Sequence, residues 1–199
     1  MFEYSRLLSL PLFLLCVGCA AIDKASYPSE WPAIASGREA CGSINGLYES
    51  RAASHTYPHP HRDYFLSLTM LPVDESYRLI EAVSLEYGDD NSLKVVGYSG
   101  NGAPLKKHTY TARSGFFACA NGILIMDPAR KPGREYASDN PLVGISSEEI
   151  ALTKAQDGSL VMRSSGSAIG MAFLIIPVYA DTEHWYRFKQ INDIERPEG

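Results

Sequence analysis

The chain is 199 residues long, 45% hydrophobic, and carries a formal net charge of −5. That length suits a single domain with a core of useful size. The mildly acidic balance gives no electrostatic basis for a nucleic-acid partner and argues against that class.

The amino terminus speaks to compartment. Residues 1–5 hold one acid, Glu3, and Arg6 follows. With the free amino group, Arg6 makes a weakly positive start. Residues 7–17 are then almost wholly apolar and are interrupted by Pro11. The run falls short of the roughly 20 residues that a membrane-spanning helix needs. A short apolar run behind a basic residue reads as a secretory signal helix, expected to be cleaved, over residues 1–18. The run closes on Val17-Gly18-Cys19, which resembles the lipobox of bacterial lipoproteins. The first position of that motif is usually leucine or another aliphatic residue, and here it is Cys16. The resemblance implies cleavage before Cys19, with diacylglycerol on its sulfur and an acyl chain such as palmitate on its nitrogen. The alternative is an ordinary cleaved signal with release into the periplasm. Each buried methylene contributes about 0.8 kcal/mol and stable anchoring takes more than one chain, so a multiply acylated Cys19 would hold the protein on a membrane with no spanning helix. Ala20 and Ala21 follow. An aspartate in the first of these places marks inner-membrane retention in such lipoproteins. Its absence implies sorting to the outer membrane, with the domain facing the periplasm.

Without its leader the chain keeps 22 acids against 17 bases. No later segment is long and apolar enough to span a bilayer. The nearest, Ala168 to Ala180, is short and contains Pro177. Cys16 leaves with the leader and Cys19 is the lipid site, so Cys41 and Cys119 remain. In an oxidising compartment that pair is expected to form one disulfide. Two free buried thiols or a metal pair are the alternatives, although no Cys-x-x-Cys spacing supports a redox or zinc site.

Residues 19–40 read as a tether after the lipidated cysteine, with Trp31-Pro32 either docked on the domain or held in an extended linker. The folded domain is expected over residues 41–188. Ile44 to Glu49 reads as its first strand. Residues 50–63 form a polar loop holding His55, His59 and His61. Neutral imidazole binds zinc, copper or nickel, and Asp63 would supply a fourth ligand. A surface loop is the other reading, since Pro58 and Pro60 hold the stretch extended. Residues 63–71 suit a short helix capped by Asp63, with Tyr64, Leu68 and Leu71 on one face, or else a strand. From Arg78 the period changes to two, through Val83, Leu85 and Tyr87. Gly88-Asp89-Asp90-Asn91-Ser92 is a turn, residues 93–98 return, and Gly100-Asn101-Gly102 turns again into residues 105–111. Residues 116–119, Asn121-Gly122 and residues 123–126 make the strongest hairpin signal. It puts Cys119 at a strand end within reach of Cys41.

Residues 127–143 read as a long loop carrying Arg130, Lys131 and Arg134, for lipid headgroups or for solvent. Residues 148–153 and 160–163 pair across Gln156-Asp157-Gly158-Ser159. Residues 171–179 read as a strand covered on both faces, because Phe173 to Ile176 are consecutively apolar. His184 to Phe188 closes the domain, and residues 189–199 are a polar tail. The expected fold is all-β: an antiparallel meander of short strands closed or half-closed into a barrel.

Gly46 two residues ahead of Tyr48 resembles the Gly-x-Trp opening of lipocalins. The order lipobox, Trp31-Pro32, Cys41, Gly46-Leu47-Tyr48 and Trp185-Tyr186-Arg187-Phe188 resembles an uncharacterised proteobacterial envelope lipoprotein family. That resemblance implies a family and no particular function.

No catalytic motif is found. Gly97-Tyr98-Ser99-Gly100-Asn101 fails the Gly-x-Ser-x-Gly pattern at its last position, and there is no His-Glu-x-x-His, P-loop or dinucleotide fingerprint. The expectation is therefore a lipid-anchored outer-membrane protein that is no enzyme and takes no cofactor, with a structural role or an envelope protein as partner. A lipocalin-like carrier is the alternative, with Tyr48, Phe116, Phe173 and Trp185 lining a cavity for a small apolar ligand. An envelope enzyme or metal protein would need the His55–His61 loop to converge with a carboxylate.

Overall fold

Turn chemistry sets the frame of the molecule. The computed structural model describes residues 19–35, 41–58, 63–72, 75–130, 142–172 and 176–192. Asn121 and Gly122 both take positive φ, 53° and 76°, as a two-residue hairpin turn requires. They join β7 (Phe117–Ala120) to β8 (Ile123–Met126). Asn91, at φ 55°, closes the turn between β4 (Ala82–Tyr87) and β5 (Ser92–Tyr98). There the Asp90 carboxylate accepts the Ser92 amide at 3.0 Å. β6 (Pro104–Thr111) then pairs antiparallel with β5.

The described strands form two sheets. One runs β12 (Gln190–Ile191), β2 (Gly46–Glu49), β4, β5, β6. The other runs β1 (Cys19–Lys24), β11 (Ile176–Phe188), β10 (Leu160–Ala172), β9 (Leu142–Lys154), β8, β7, with β3 (Ser54–His55) also on β11. The protein is thus mostly antiparallel β-structure. No closed barrel is found among the described residues, because β6 and β7 each end their own sheet. Along one seam β11 passes through Lys189 directly into β12, so the chain turns from one sheet to the other there. Two residues of the expected polar tail, Gln190 and Ile191, therefore serve as a strand against Tyr48 and Leu47.

Alternation fills the space between the sheets. Val83 and Leu85 of β4, with Leu93 and Val95 of β5, meet Leu152, Met162, Tyr186 and Phe188, all 2% exposed or less. The single helix among the described residues, α1 (Leu66–Met70), adds Leu66 and Met70 to this core. Its start differs from expectation. Phe65 stands at the cap position with no side-chain cap, and Asp63 pairs with Arg51 instead. The Ser50 carbonyl takes the Leu66 amide at 2.6 Å, and Ser50 Oγ takes the Ser67 amide at 3.4 Å. Leu68, expected on the inner face, is exposed, and Leu66 and Met70 take that place.

The segment expected as a tether is laid on the domain over residues 19–35. β1 pairs in parallel with β11 from Cys19 opposite Val178 to Lys24 opposite Glu183. Ladder hydrogen bonds need only backbone, so the weakly apolar sequence Ala20-Ala21-Ile22-Asp23 does not oppose them. The Ala25 amide continues the edge to the Glu183 carbonyl at 2.8 Å. Trp185 Nε1 donates to the Ala25 carbonyl at 3.0 Å, and Tyr27 stands edge-on between Trp31 and Trp185. Trp31 is therefore docked.

A second difference lies in β9, β10 and β11. Each has thirteen residues, where the sequence suggested shorter pieces. Ile150, Leu152, Leu160, Met162, Tyr186 and Phe188 sit under the second sheet, while residues 144–149 are exposed on both faces. With β1 they form an arm that runs past the core. The stretch 171–179 is no single covered strand. β10 ends at Ala172 and β11 begins at Ile176, and Ile176 is exposed. Residues 173–175, with Phe173, lie outside the described residues.

Candidate functional site

Cys41 opens a 3-10 turn (Cys41–Ile44) at the head of β2, and Cys119 lies in β7. A disulfide joins them, Cα to Cα 5.9 Å, linking the first part of one sheet to the edge of the other. The neighbouring Tyr48 is wholly buried and donates its hydroxyl to the Ile44 carbonyl at 2.7 Å. Burial pushes the Tyr48 phenol well above its ordinary range, so the hydroxyl stays a donor. Tyr110 behaves alike, donating to the Met70 carbonyl at 2.9 Å, and its ring lies 4.2 Å from Phe116. Two of the aromatic residues expected around a carrier's cavity thus do other work. Tyr48 fills the core, and Trp185 fastens the 25–35 segment.

Arg187 donates to Asp157 at 2.6 Å and to Ser159 Oγ at 3.1 Å. Burial would raise the Asp157 carboxyl, but hydrogen bonds from Ser159 and Arg187 outweigh it and hold it below its usual range. These contacts brace the β9–β10 turn.

Where the arm leaves the core, the β7–β8 hairpin and the arm enclose an open trough. One part, of about 540 Å³, is bounded by Phe116, Phe117 and Met126 on the hairpin side and by Glu148, Ser165 and Ser167 on the arm. A second part, of about 570 Å³, continues along Ser146, Ala168, Ala180 and Thr182. Asp127, Ser147, Glu148, Gly166 and Ser167 border both parts. Most acids here are tied. Glu149 meets Arg163 at 3.0 Å, Asp127 meets Arg130 at 3.2 Å, and Asp181 meets Lys24 at 2.6 Å. The Lys24 ammonium holds the Asp181 carboxyl below its usual range, and the Tyr179 hydroxyl donates to it as well. Ser147 and Ser167 touch through their hydroxyls at 2.9 Å. The trough offers hydroxyls and carboxylates beside apolar side chains, groups that can hydrogen-bond a ligand.

The histidines do not gather among the described residues. His55, on β3, packs 6.1 Å from the Tyr186 ring, and its Nδ1 is buried without a hydrogen-bond partner. His59 and His61 lie outside the described residues. His184 is buried on β11, with Nε2 3.5 Å from Asp23 and the Tyr57 ring edge-on at 4.9 Å. Its Nδ1 also lacks a partner, so no serine is coupled to it there. Among the described residues no three metal-ligating side chains converge, and no helix is long and apolar enough to cross a membrane. Of the basic loop, Arg130 pairs with Asp127, and Lys131 and Arg134 lie outside the described residues.

Cys19 takes its place at the free end of the arm, opposite Val178 and two positions from the start of β11. Around that end stand Ile145, 78% exposed, and Ile169, 64% exposed. Sequence reasoning passed over these residues and the trough serines. The usable signal was the repeated framing of a single isoleucine by small residues, in Gly144-Ile145-Ser146 and in Ala168-Ile169-Gly170. Comparison with known proteins finds no matching family model, no matching curated protein and no matching solved structure.

Proposed function

We propose that the chain is an outer-membrane lipoprotein, anchored through an acylated Cys19 and facing the periplasm, whose β domain binds a segment of an envelope protein. The anchor rests on the basic start, the short apolar run and the Val17-Gly18-Cys19 pattern. The Cys41–Cys119 disulfide fits an oxidising compartment. The observation that carries the binding role is the open trough beside a filled core, because an open groove that mixes apolar side chains with hydroxyls and carboxylates suits an extended polypeptide better than a small apolar molecule. The half-closed form of the fold belongs to the same proposal, with β11 running into β12 along one seam and the β6 and β7 edges left apart. The carrier reading draws less support, since Tyr48 and Trp185 are spent on packing.

The test has two parts. Mass spectrometry of the amino-terminal peptide from native membranes is expected to find a chain starting at an acylated Cys19. A different start, or an unmodified Cys19, overturns the anchor. A photocrosslinking residue in place of Ser167 is expected to give one adduct with an envelope protein in cells, absent when the probe replaces Thr109 on β6. A retained small molecule in native mass spectra, with no adduct, would favour the carrier.

A further inference from the structure

The arm ends in a stretch without charge. Across β9, β10, β11 and β1, the register puts Ile145, Ile169, Tyr179 and Ala20 side by side on one face. Ile145, Ile169 and Tyr179 are 78%, 64% and 41% exposed. The opposite face of the same end presents Gly144, Gly170, Val178 and the exposed Ile176. Two positions inward from the isoleucine row stand Ser147, Ser167 and Asp181, with the exposed Ile22 beside Asp181, and Glu148 and Asp23 follow. Two residues of strand span ~7 Å.

We propose that this end of the arm enters the outer part of a lipid leaflet beside the Cys19 anchor, standing the domain upright on the membrane. The inference rests on the lipoprotein reading for its occupant, because β1 fixes the anchored residue opposite Val178, within the apolar end itself. A protein partner or a second copy would cover one face. Here one face is exposed and the other is exposed at Gly144 and Ile176 and half-exposed at Gly170 and Val178, both are uncharged, and only a surrounding medium satisfies both. The depth suits the medium, since interfacial elements bury ~5–10 Å into the headgroup and acyl boundary. Tyr179 has its ring among the apolar residues and its hydroxyl on Asp181, the arrangement of an aromatic residue at a membrane interface. The carboxylates of Asp181, Glu148 and Asp23 then stop deeper entry.

The experiment uses the mature chain with an environment-sensitive dye on Ile169→Cys, or on Thr109→Cys as control, in phosphatidylethanolamine–phosphatidylglycerol vesicles. Acylation is verified separately from the mass of the Cys19 peptide. The dye at position 169 is expected to shift to the blue and to be quenched by a lipid-tail quencher, and the dye at 109 is not. The unacylated Cys19→Ser chain is expected to keep a weaker vesicle partition, which Ile145→Ser with Ile169→Ser lowers about tenfold or more. Both positions are exposed, so an unchanged urea midpoint verifies the fold. An acylated, vesicle-bound chain whose dye at 169 stays in water overturns the insertion and leaves the anchor standing. An unmodified Cys19 overturns the anchor alone. Insertion is then upheld by a partition that depends on Ile145 and Ile169, and overturned by no partition. Shielding of the dye without vesicles, at twice the monomer mass, overturns insertion in favour of a second copy.

Discussion

Cys41 is buried at 0% exposure and its partner Cys119 lies on an exposed strand, so one bond ties the inside of the domain to its rim. The two residues are 78 apart in sequence. In the chain-entropy model a cross-link of that span stabilises by about 4 kcal/mol through the unfolded state. Replacing both cysteines with serine is expected to lower the urea unfolding free energy by about that amount without changing the native fold. A loss near zero would mean that the unfolded chain is already restricted in other ways. The pair was legible because reading residues 1–18 as a leader and Cys19 as a lipid site leaves no other cysteine to compete. The role of Arg187 was not legible, since nothing near it in sequence shows that Asp157 and Ser159 come round the β9–β10 turn to meet it.

At the scale of the element, β5 shows how closely the second sheet is fitted. Gly97 is buried beneath Ile80 and Leu71, and a Cβ there would lie 2.8 Å and 2.9 Å from their Cδ1 atoms. Gly97→Val is expected to cost about 1–3 kcal/mol by overpacking, measured as a fall in urea midpoint with an unchanged slope. The hairpins from β4 to β8 were legible because each joins a period-two run to a turn rich in Gly, Asn or Asp. The helix was one of two readings of residues 63–71, and its cap was misassigned. Ser50, which supplies the acceptors, is distant in sequence, and Asp63 was drawn away by Arg51. The long strands were read short because Ser164-Ser165-Gly166-Ser167 carries no apolar alternation, so backbone pairing alone continues the ladder there.

Across the whole molecule, stability is divided. The proximal halves of β9, β10 and β11 lie under the second sheet, while their distal halves have solvent on both faces. Hydrogen exchange is expected to follow that division. Amides of Ile150 to Thr153 should exchange near the rate of global unfolding, and those of Ile145 to Glu149 much faster. Equal protection along β9 would mean that another element covers the arm in solution. Such a division has no local signature, because it depends on where the second sheet stops.

The parallel pairing of β1 with β11 has a mechanical consequence. A pull on Cys19 away from the domain and along the strand loads the ladder from Cys19–Val178 to Lys24–Glu183 in shear. The bonds then share the force and must yield together, whereas a strand drawn off sideways would unzip one pair at a time. Under the anchor proposed above, the segment that would join domain to surface resists tension in the direction from which that tension would come.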